Sequence, residues 1–247
     1  MHRCHASMGR GAPAAARRSG IRRSGRNDVV QEPKAEPDFR DARDQWEELR
    51  ITARDGGEVQ AFWRTGVKRP LLLAHGRAFD ADSFQEFGDV AHEAGHGVLR
   101  INFRGYHAST AGSSGPDARD EDVLGAASWL KQRTGLSAIA LGASMGGAAV
   151  FRAAGRERDL FARLVGWSPV PIPDERALLL TMPKLVVWSA DEAMAQALQA
   201  YSAVLPEPKA LHVFTGSAHA QNLWGGPHQE ALSQLVLAFA AEEPATR

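Results

Sequence analysis

Cysteine is almost absent from this sequence, and neither sign of charge is in excess. Cys4 is the single cysteine among 247 residues, so no disulfide can form within the chain. Cys4 lies in a segment that is expected to be unstructured, which argues against a structural or catalytic thiol. Lysine and arginine together number 29, as do aspartate and glutamate, and the formal net charge is zero. The overall balance therefore indicates neither a nucleic-acid partner nor an anionic membrane surface.

Long apolar runs are also missing. No stretch approaches the roughly 20 apolar residues needed to cross a bilayer. The N-terminus lacks the short apolar core of a secretory signal as well. We therefore expect a soluble, cytoplasmic protein without a membrane partner.

The first 40 residues differ in composition from the rest of the chain. They are rich in Arg, Ala, Gly and Ser and contain no acidic residue before Asp28. Such a segment cannot bury enough apolar surface to offset the entropy of ordering it. We therefore expect a disordered tail over 1–40 and one folded domain over 41–247.

Other interpretations of this tail stay open. The pairs Arg17-Arg18 and Arg22-Arg23 suggest a twin-arginine signal, but no apolar core follows them. An Arg-rich, acid-poor start also fits an organelle transit peptide, and translation from Met8 or a later position is a further alternative. The positive charge of this Arg-rich tail would suit binding to nucleic acid. The tail lacks interleaved aromatic residues, however, so we expect no nucleic-acid partner.

From Trp46 onward, strand-like and helix-like segments alternate, which is typical of a mostly parallel sheet covered by helices on both faces. A hairpin is predicted over 48–65, around the turn residues Asp55, Gly56 and Gly57. Further strands are predicted at 71–74, 97–103, 136–141, 164–167, 185–188 and 210–214, and helices at 82–94, 117–134, 148–154 and 232–239. The predicted fold class is α/β.

Residues 142–146, Gly-Ala-Ser-Met-Gly, match the G-x-S-x-G pattern of a nucleophile elbow. A strand is predicted before this motif and a helix after it, which is the context that the pattern requires. A serine on so sharp a turn needs small neighbours, because strand and helix approach closely there. The turn places the hydroxyl near a helix N-terminus, whose partial positive charge favours an oxyanion. Ser144 is therefore the candidate nucleophile.

A serine hydroxyl needs a base to take its proton, and the base needs a carboxylate to orient it. His219 follows the last predicted strand and is the candidate base. Asp191 follows the strand at 185–188, at the sheet edge where open α/β sheets bind ligands, and is the candidate acid. Asp191 is also placed as a helix N-cap. Neighbouring Glu192 is the alternative acid, and Asp174 is a more distant one.

A second motif favours different chemistry. Residues 92–96, His-Glu-Ala-Gly-His, match H-E-x-x-H, in which two histidines on one helical face bind zinc. Gly95 and Gly97 flank the second histidine just before a predicted strand, so the helix is expected to end before His96. We therefore expect no metal site here and interpret the segment as a helix C-terminus.

From about 71 to 239 the sequence resembles the α/β-hydrolase superfamily. The resemblance rests on the elbow, on the spacing of His219, on Leu-Ala-His-Gly-Arg at 73–77 and on Asn-Phe-Arg-Gly-Tyr-His-Ala-Ser at 102–109. It implies an oxyanion hole formed by the backbone N–H groups of Arg77 and Met145. His107 and Ala108 depart from the glycine that is usual in the family's loop. The acid usually follows the pattern Gly-x-x-Asp, and in this chain Trp188 replaces that glycine.

The resemblance also implies how open the site is. Only residues 168–183 are available between the sixth strand and the acid, which leaves no room for a cap domain. This spacing is similar to that of small carboxylesterases and of the dienelactone hydrolase branch, although the latter uses Cys where this chain has Ser144. An open, shallow site favours small or extended acyl substrates.

We therefore expect a serine hydrolase that cleaves a small-molecule carboxylic ester, without cofactor or metal. Thioester, lactone and peptide bonds are cleaved by the same machinery, and a non-catalytic scaffold is the alternative from another class. Arg104 and Trp224 are candidate substrate-binding residues. Arg77 and Arg104 together would suit a carboxylate on the substrate. The oligomeric state is left open.

Overall fold

A computed structural model of the chain describes residues 45–242. The predicted tail over 1–40 lies outside this range, so its disorder stays a prediction. Within the described part, no helix is long and apolar enough to cross a membrane.

One sheet of eight strands forms the centre of the described domain. Its strands are β1 (Glu47–Thr52), β2 (Glu58–Arg64), β3 (Lys68–Ala74), β4 (His96–Ile101), β5 (Ala138–Ala143), β6 (Phe161–Trp167), β7 (Lys184–Ser189) and β8 (Lys209–Phe214). The order across the sheet is β1-β2-β4-β3-β5-β6-β7-β8. β2 pairs antiparallel with both β1 and β4, and the remaining neighbours pair parallel.

The N-terminal hairpin is confirmed. Its register pairs Glu47 with Trp63 and Thr52 with Glu58. Gly56 lies in the turn with a φ of +81°, a conformation that glycine adopts without the steric cost of a side chain.

Helices cover both faces of the sheet. They are α1 (Gln85–Glu93), α2 (Arg119–Thr134), α3 (Met145–Arg156), α4 (Asp174–Ala177), α5 (Ala195–Val204) and α6 (Gln229–Ala241). One core cluster contains the buried residues of α2, α3 and α5, and the other contains those of α1 and α6. In β3, Leu72 belongs to the first cluster, whereas Leu71 and Leu73 belong to the second, because successive strand side chains point to opposite faces.

The observed elements match the predicted order, with differences that concern helices. Two 3₁₀ helices, Arg158–Leu160 and Ala220–Leu223, were not predicted. A short 3₁₀ helix, Ala81–Phe84, precedes α1, and α5 was not predicted. Between β6 and β7 the chain forms only a loop and the four-residue helix α4, so no cap domain is inserted there.

The parallel strands determine where the polar loops meet. Five consecutive strands of the sheet, β3, β5, β6, β7 and β8, run in the same direction. Their carboxyl ends therefore lie along one edge, where this class of fold binds its ligands. The loops after these five strands carry the residues of the candidate site.

Candidate active site

Ser144 occupies the turn between β5 and α3. Its backbone has φ 49° and ψ −112°, a sparsely populated conformation that stores strain and that tight packing around the turn can maintain. A Cβ on Gly142 would lie 2.4 Å from the carbonyl oxygen of Gly146, and a Cβ on Gly146 only 2.2 Å from that of Ala74. Glycine at these two positions is therefore required for the strand, the turn and the helix to pack together.

His219 lies beside this serine. The Ser144 hydroxyl oxygen is 2.9 Å from Nε2 of His219, which is within hydrogen-bonding distance for proton transfer. The imidazole follows β8 and directly precedes a short 3₁₀ helix, Ala220–Leu223. Two loops that lie 75 residues apart in sequence thus bring together the predicted nucleophile and the predicted base.

The carboxylate that contacts His219 is Glu192, not Asp191. His219 Nδ1 is 2.9 Å from Glu192 Oε2, and the Glu192 side chain is only 1% exposed. Asp191 is exposed to solvent, while its backbone N–H donates to the carbonyl of Gly216. The turn after β7 therefore directs the first carboxylate outward and the second one beneath the imidazole.

Ser168, which sequence reasoning did not single out, joins this hydrogen-bond chain. Its hydroxyl donates to Glu192 Oε2 at 2.8 Å and accepts from the backbone N–H of Ala220 at 3.1 Å. Ser168 is fully buried at the end of β6, with a φ of 43°. It thus connects the carboxylate to the segment that carries His219. A lone serine after a strand gives no recognisable sequence signal.

Residues 75–77 lie next to the elbow. A Cβ on Gly76 would be 3.5 Å from the Cβ of Ser144, so this backbone approaches the serine closely. No hydrogen bond within residues 45–242 uses the backbone N–H of Arg77. Met145 is the first residue of α3, where backbone N–H groups have no acceptor within the helix. Both N–H groups are thus available to a ligand, and their role as an oxyanion hole stays a proposal.

His75 fixes the backbone in front of that opening. Its Nε2 accepts from the N–H of Phe103 at 3.1 Å, so the proton of the neutral ring is on Nδ1. Nδ1 then donates to the carbonyl oxygen of Gly76 at 2.8 Å. Burial lowers the pKa of His75 to about 4, because the uncharged ring is favoured away from water. The ring is therefore neutral at physiological pH.

Arg104 does not face the site, which corrects its predicted role in substrate binding. Its guanidinium is wholly buried and bonds to both Asp122 and Asp55, at 2.7 and 2.8 Å. A further bond reaches the carbonyl of Gly115. Arg104 holds the pKa of Asp55 at about 2 through its hydrogen bonds. Every direction of the guanidinium fork is occupied, and the hypothesis that Arg104 joins exposed Arg77 in binding a carboxylate is therefore wrong.

Trp224 is buried as well, which corrects its predicted role in substrate binding. Its ring stacks on Trp167 with centroids 6.4 Å apart and an angle of 7° between the planes. Its indole N–H donates to Glu86. Trp224 therefore belongs to the core between α1, α6 and the sheet, where it packs rather than lines an open pocket.

The H-E-x-x-H residues are divided between two elements. His92 lies in α1, but His96 is the first residue of β4, and Gly95 between them has a φ of +96°. His96 Nδ1 is bonded to the carbonyl of Arg69 at 2.7 Å. The two imidazoles are thus not on one helical face, as the zinc motif would require.

Comparison with known proteins places this geometry in context. A family model described as the alpha/beta hydrolase fold matches residues 69–183. A protein described as a predicted CIB-like hydrolase, from Thermoplasma acidophilum, has a TM-score of 0.64 and 18% identity over 78% of this chain and 97% of its own. An esterase from Exiguobacterium antarcticum has a TM-score of 0.65 and 13% identity over 79% of this chain and 100% of its own.

A third similar structure is an esterase from Pyrococcus furiosus, with a TM-score of 0.68 and 16% identity over 79% of this chain and 89% of its own. No curated protein sequence matches the chain. Likeness at such low identity shows a shared fold, while chemistry has to be argued from the site itself.

Proposed function

We propose that this chain, which has the α/β-hydrolase fold, is a serine hydrolase that cleaves a carboxylic ester through an acyl-enzyme intermediate. The observation that carries the proposal is the continuous hydrogen-bond chain from Ser144 through His219 to Glu192, with both distances at 2.9 Å. This is the arrangement in which a base activates a serine and a carboxylate orients the base.

The first step is attack by the Ser144 hydroxyl oxygen on the ester carbonyl carbon. His219 takes the hydroxyl proton on Nε2 as the new C–O bond forms. Glu192 already accepts from Nδ1, so it fixes the tautomer that leaves Nε2 free. Its negative charge also stabilises the imidazolium as that cation appears.

The carbonyl oxygen becomes negative in the tetrahedral intermediate. The backbone N–H groups of Arg77 and Met145 are the groups that we assign to that oxyanion, together with the N-terminal end of α3. The intermediate then collapses: the imidazolium gives its proton to the departing alkoxide, and the acyl group stays on Ser144.

Water completes the cycle by the same route. His219 removes a proton from water, the hydroxide oxygen attacks the acyl carbon, and the serine oxygen leaves with the proton from the imidazolium. Each of these proton transfers passes through the imidazole of His219.

The substrate class follows from how little covers the site. The segment between β6 and β7 contributes only α4 and loop, so an enclosed acyl tunnel is not built there. A small or extended ester fits such an open site. Two of the similar structures are described as esterases, which agrees with this choice over thioester, lactone or peptide bonds.

Hydrolysis of p-nitrophenyl butyrate, together with covalent labelling by a fluorophosphonate, tests the proposal. We expect turnover and labelling in the wild type and a loss of about a thousandfold or more in Ser144→Ala. Ser114→Ala is the matched control, because Ser114 is exposed and is not part of the hydrogen-bond chain from Ser144 to Glu192. This variant should behave as wild type. A folded wild type that neither labels nor hydrolyses p-nitrophenyl or thioester substrates would support the non-catalytic scaffold instead.

A further inference from the structure

Gln221 is a buried polar residue for which the proposed mechanism has no use. It lies two residues after His219, in the 3₁₀ helix Ala220–Leu223, and is 5% exposed. The amide forms no hydrogen bond with Ser144 or Glu192. A buried amide that forms hydrogen bonds at both ends fixes the groups that it bonds.

Both ends of this amide are bonded to the other side of the site. Oε1 accepts from the backbone N–H of Gly76 at 3.1 Å, and Nε2 donates to the Ser83 hydroxyl at 3.0 Å. Ser83 in turn donates its own proton to the carbonyl of Asp80. The donor at Gly76 determines which end of the amide is the oxygen, and the Ser83 contact agrees with it.

The Gly76 contact is close to the reacting serine. A Cβ on Gly76 would be 2.9 Å from Gln221 Oε1 and 3.5 Å from the Cβ of Ser144. Any side chain at position 76 would thus push the amide away. Glycine here allows Gln221 to reach the backbone that precedes Arg77.

Two side chains therefore hold Gly76 from opposite ends. Gln221 bonds its N–H, and His75 bonds its C=O. In a trans peptide the C=O and the following N–H point in opposite directions. Fixing the carbonyl of Gly76 thus also fixes the direction of the Arg77 N–H, which is the proposed oxyanion donor.

We propose that Gln221 is a positioning residue that holds the oxyanion loop in register with His219. The inference rests on the proposed function, because it assigns Gln221 to the same site. The base and the donor loop lie on segments that are 145 residues apart in sequence. One amide on the segment of the base therefore sets the position of the donor relative to that base.

Such a residue affects the transition state more than substrate binding. The Arg77 N–H gains its full value only when the carbonyl oxygen becomes negative. A displaced loop should therefore lower kcat and leave KM nearly unchanged. The proton transfer through His219 is untouched, so the pH profile should keep its midpoint.

The experiment compares Gln221→Met, which keeps the length of the side chain but cannot form these hydrogen bonds, with Gln234→Met. Gln234 lies exposed on α6, and within residues 45–242 its side chain bonds only to Glu230. Ser83→Ala, which removes the partner of Nε2 alone, is the milder second variant. Each is assayed for kcat and KM on p-nitrophenyl butyrate, for its pH profile, for thermal unfolding, and for inhibition by butylboronic acid, which forms a tetrahedral adduct on the serine.

We expect kcat of Gln221→Met to fall roughly tenfold to a hundredfold, with KM within about twofold. Affinity for butylboronic acid should fall by the same factor, and Ser83→Ala should show the same pattern to a smaller degree. A merely structural residue would lower the unfolding temperature without this matched loss of boronic-acid affinity.

Three results would overturn the inference while leaving the proposed function intact: Gln221→Met equal to Gln234→Met, a rise in KM alone, or a shifted pH midpoint. If Gln221→Met does not fold, an unchanged kcat in Ser83→Ala overturns it as well. A wild type that fails to label with fluorophosphonate removes the proposed function, and the inference falls with it.

Discussion

Glu192 Oε2 lies 2.9 Å from Nδ1 of His219, while the preceding residue, Asp191, is exposed. Two adjacent carboxylates thus have opposite surroundings, and only the buried one meets the imidazole. A carboxylate in that position orients the ring and stabilises its protonated form during the reaction. Glu192, and not Asp191, is therefore the carboxylate that we expect to act as the acid of the triad.

Glu192→Gln should lower kcat/KM by about a thousandfold to ten-thousandfold, because an amide cannot stabilise the imidazolium and favours the wrong tautomer. Asp191→Asn, the adjacent control, should stay within about twofold of wild type, since an exposed charge contributes little. Steady-state hydrolysis of p-nitrophenyl butyrate measures both. The reverse pattern would restore Asp191 as the acid.

Ser168→Ala should weaken both activity and stability. The change leaves the buried N–H of Ala220 without its acceptor and removes one donor from Glu192, whose Oε1 already has no partner among the described residues. A hydrogen bond to a charged group contributes about 2 kcal/mol, and losing about 1.4 kcal/mol from the transition state slows a reaction tenfold.

Urea unfolding and kcat measure these two effects of Ser168→Ala. The control is Ser202→Ala, at a buried serine whose hydroxyl has no hydrogen-bond partner within residues 45–242. It should change neither quantity much. Equal behaviour of the two variants would show that the Ser168 hydroxyl does not position Glu192.

His75 should make the fold sensitive to acid. Burial lowers its pKa from 6.5 to about 4, so between these values the unfolded chain binds more protons than the folded one. Stability contributed by the neutral ring is fully present above pH 6.5 and is lost as the pH falls to 4. The total loss is about 3 kcal/mol.

The measurement is the free energy of unfolding in urea between pH 7 and pH 4 for wild type and His75→Asn. Asparagine does not titrate, so the variant should show a shallower dependence on pH over this range, whatever its absolute stability. His212→Asn, at an exposed histidine, should keep the slope of the wild type. Parallel slopes for wild type and His75→Asn would contradict the prediction.

Arg104→Met should destabilise the fold without altering substrate binding. The change leaves Asp122 wholly buried without its counter-charge, and breaking such a pair costs about 3–5 kcal/mol. Arg77→Ala, at an exposed arginine, should change stability by about 0.5 kcal/mol at most. Thermal unfolding measures both variants. If KM rises in Arg104→Met at temperatures well below its unfolding temperature, Arg104 contributes to substrate binding and the prediction is wrong.

The order of strands and helices could be predicted because it is encoded locally. Alternating or continuous apolar runs predict strands. The glycines around Ser144 predict a tight turn between a strand and a helix, because only small residues fit there. Helix α5 escaped this reasoning, since its apolar residues do not stand out from a small, mixed stretch of sequence. Few of its residues are buried, among them Leu198 and Tyr201, and the helix packs against β7.

The sequence alone thus determined the fold class, the serine at the elbow and the histidine that follows the last strand, because each depends on residues close together along the chain. Only the tertiary structure decided that Glu192 rather than Asp191 meets His219, that Arg104 and Trp224 are buried in the core, and that Ser168 and Gln221 connect the loops of the site. These outcomes depend on the direction in which a side chain points from its turn, and on contacts between segments that are far apart in sequence. A local pattern of residues predicts neither the side-chain direction nor the long-range contacts.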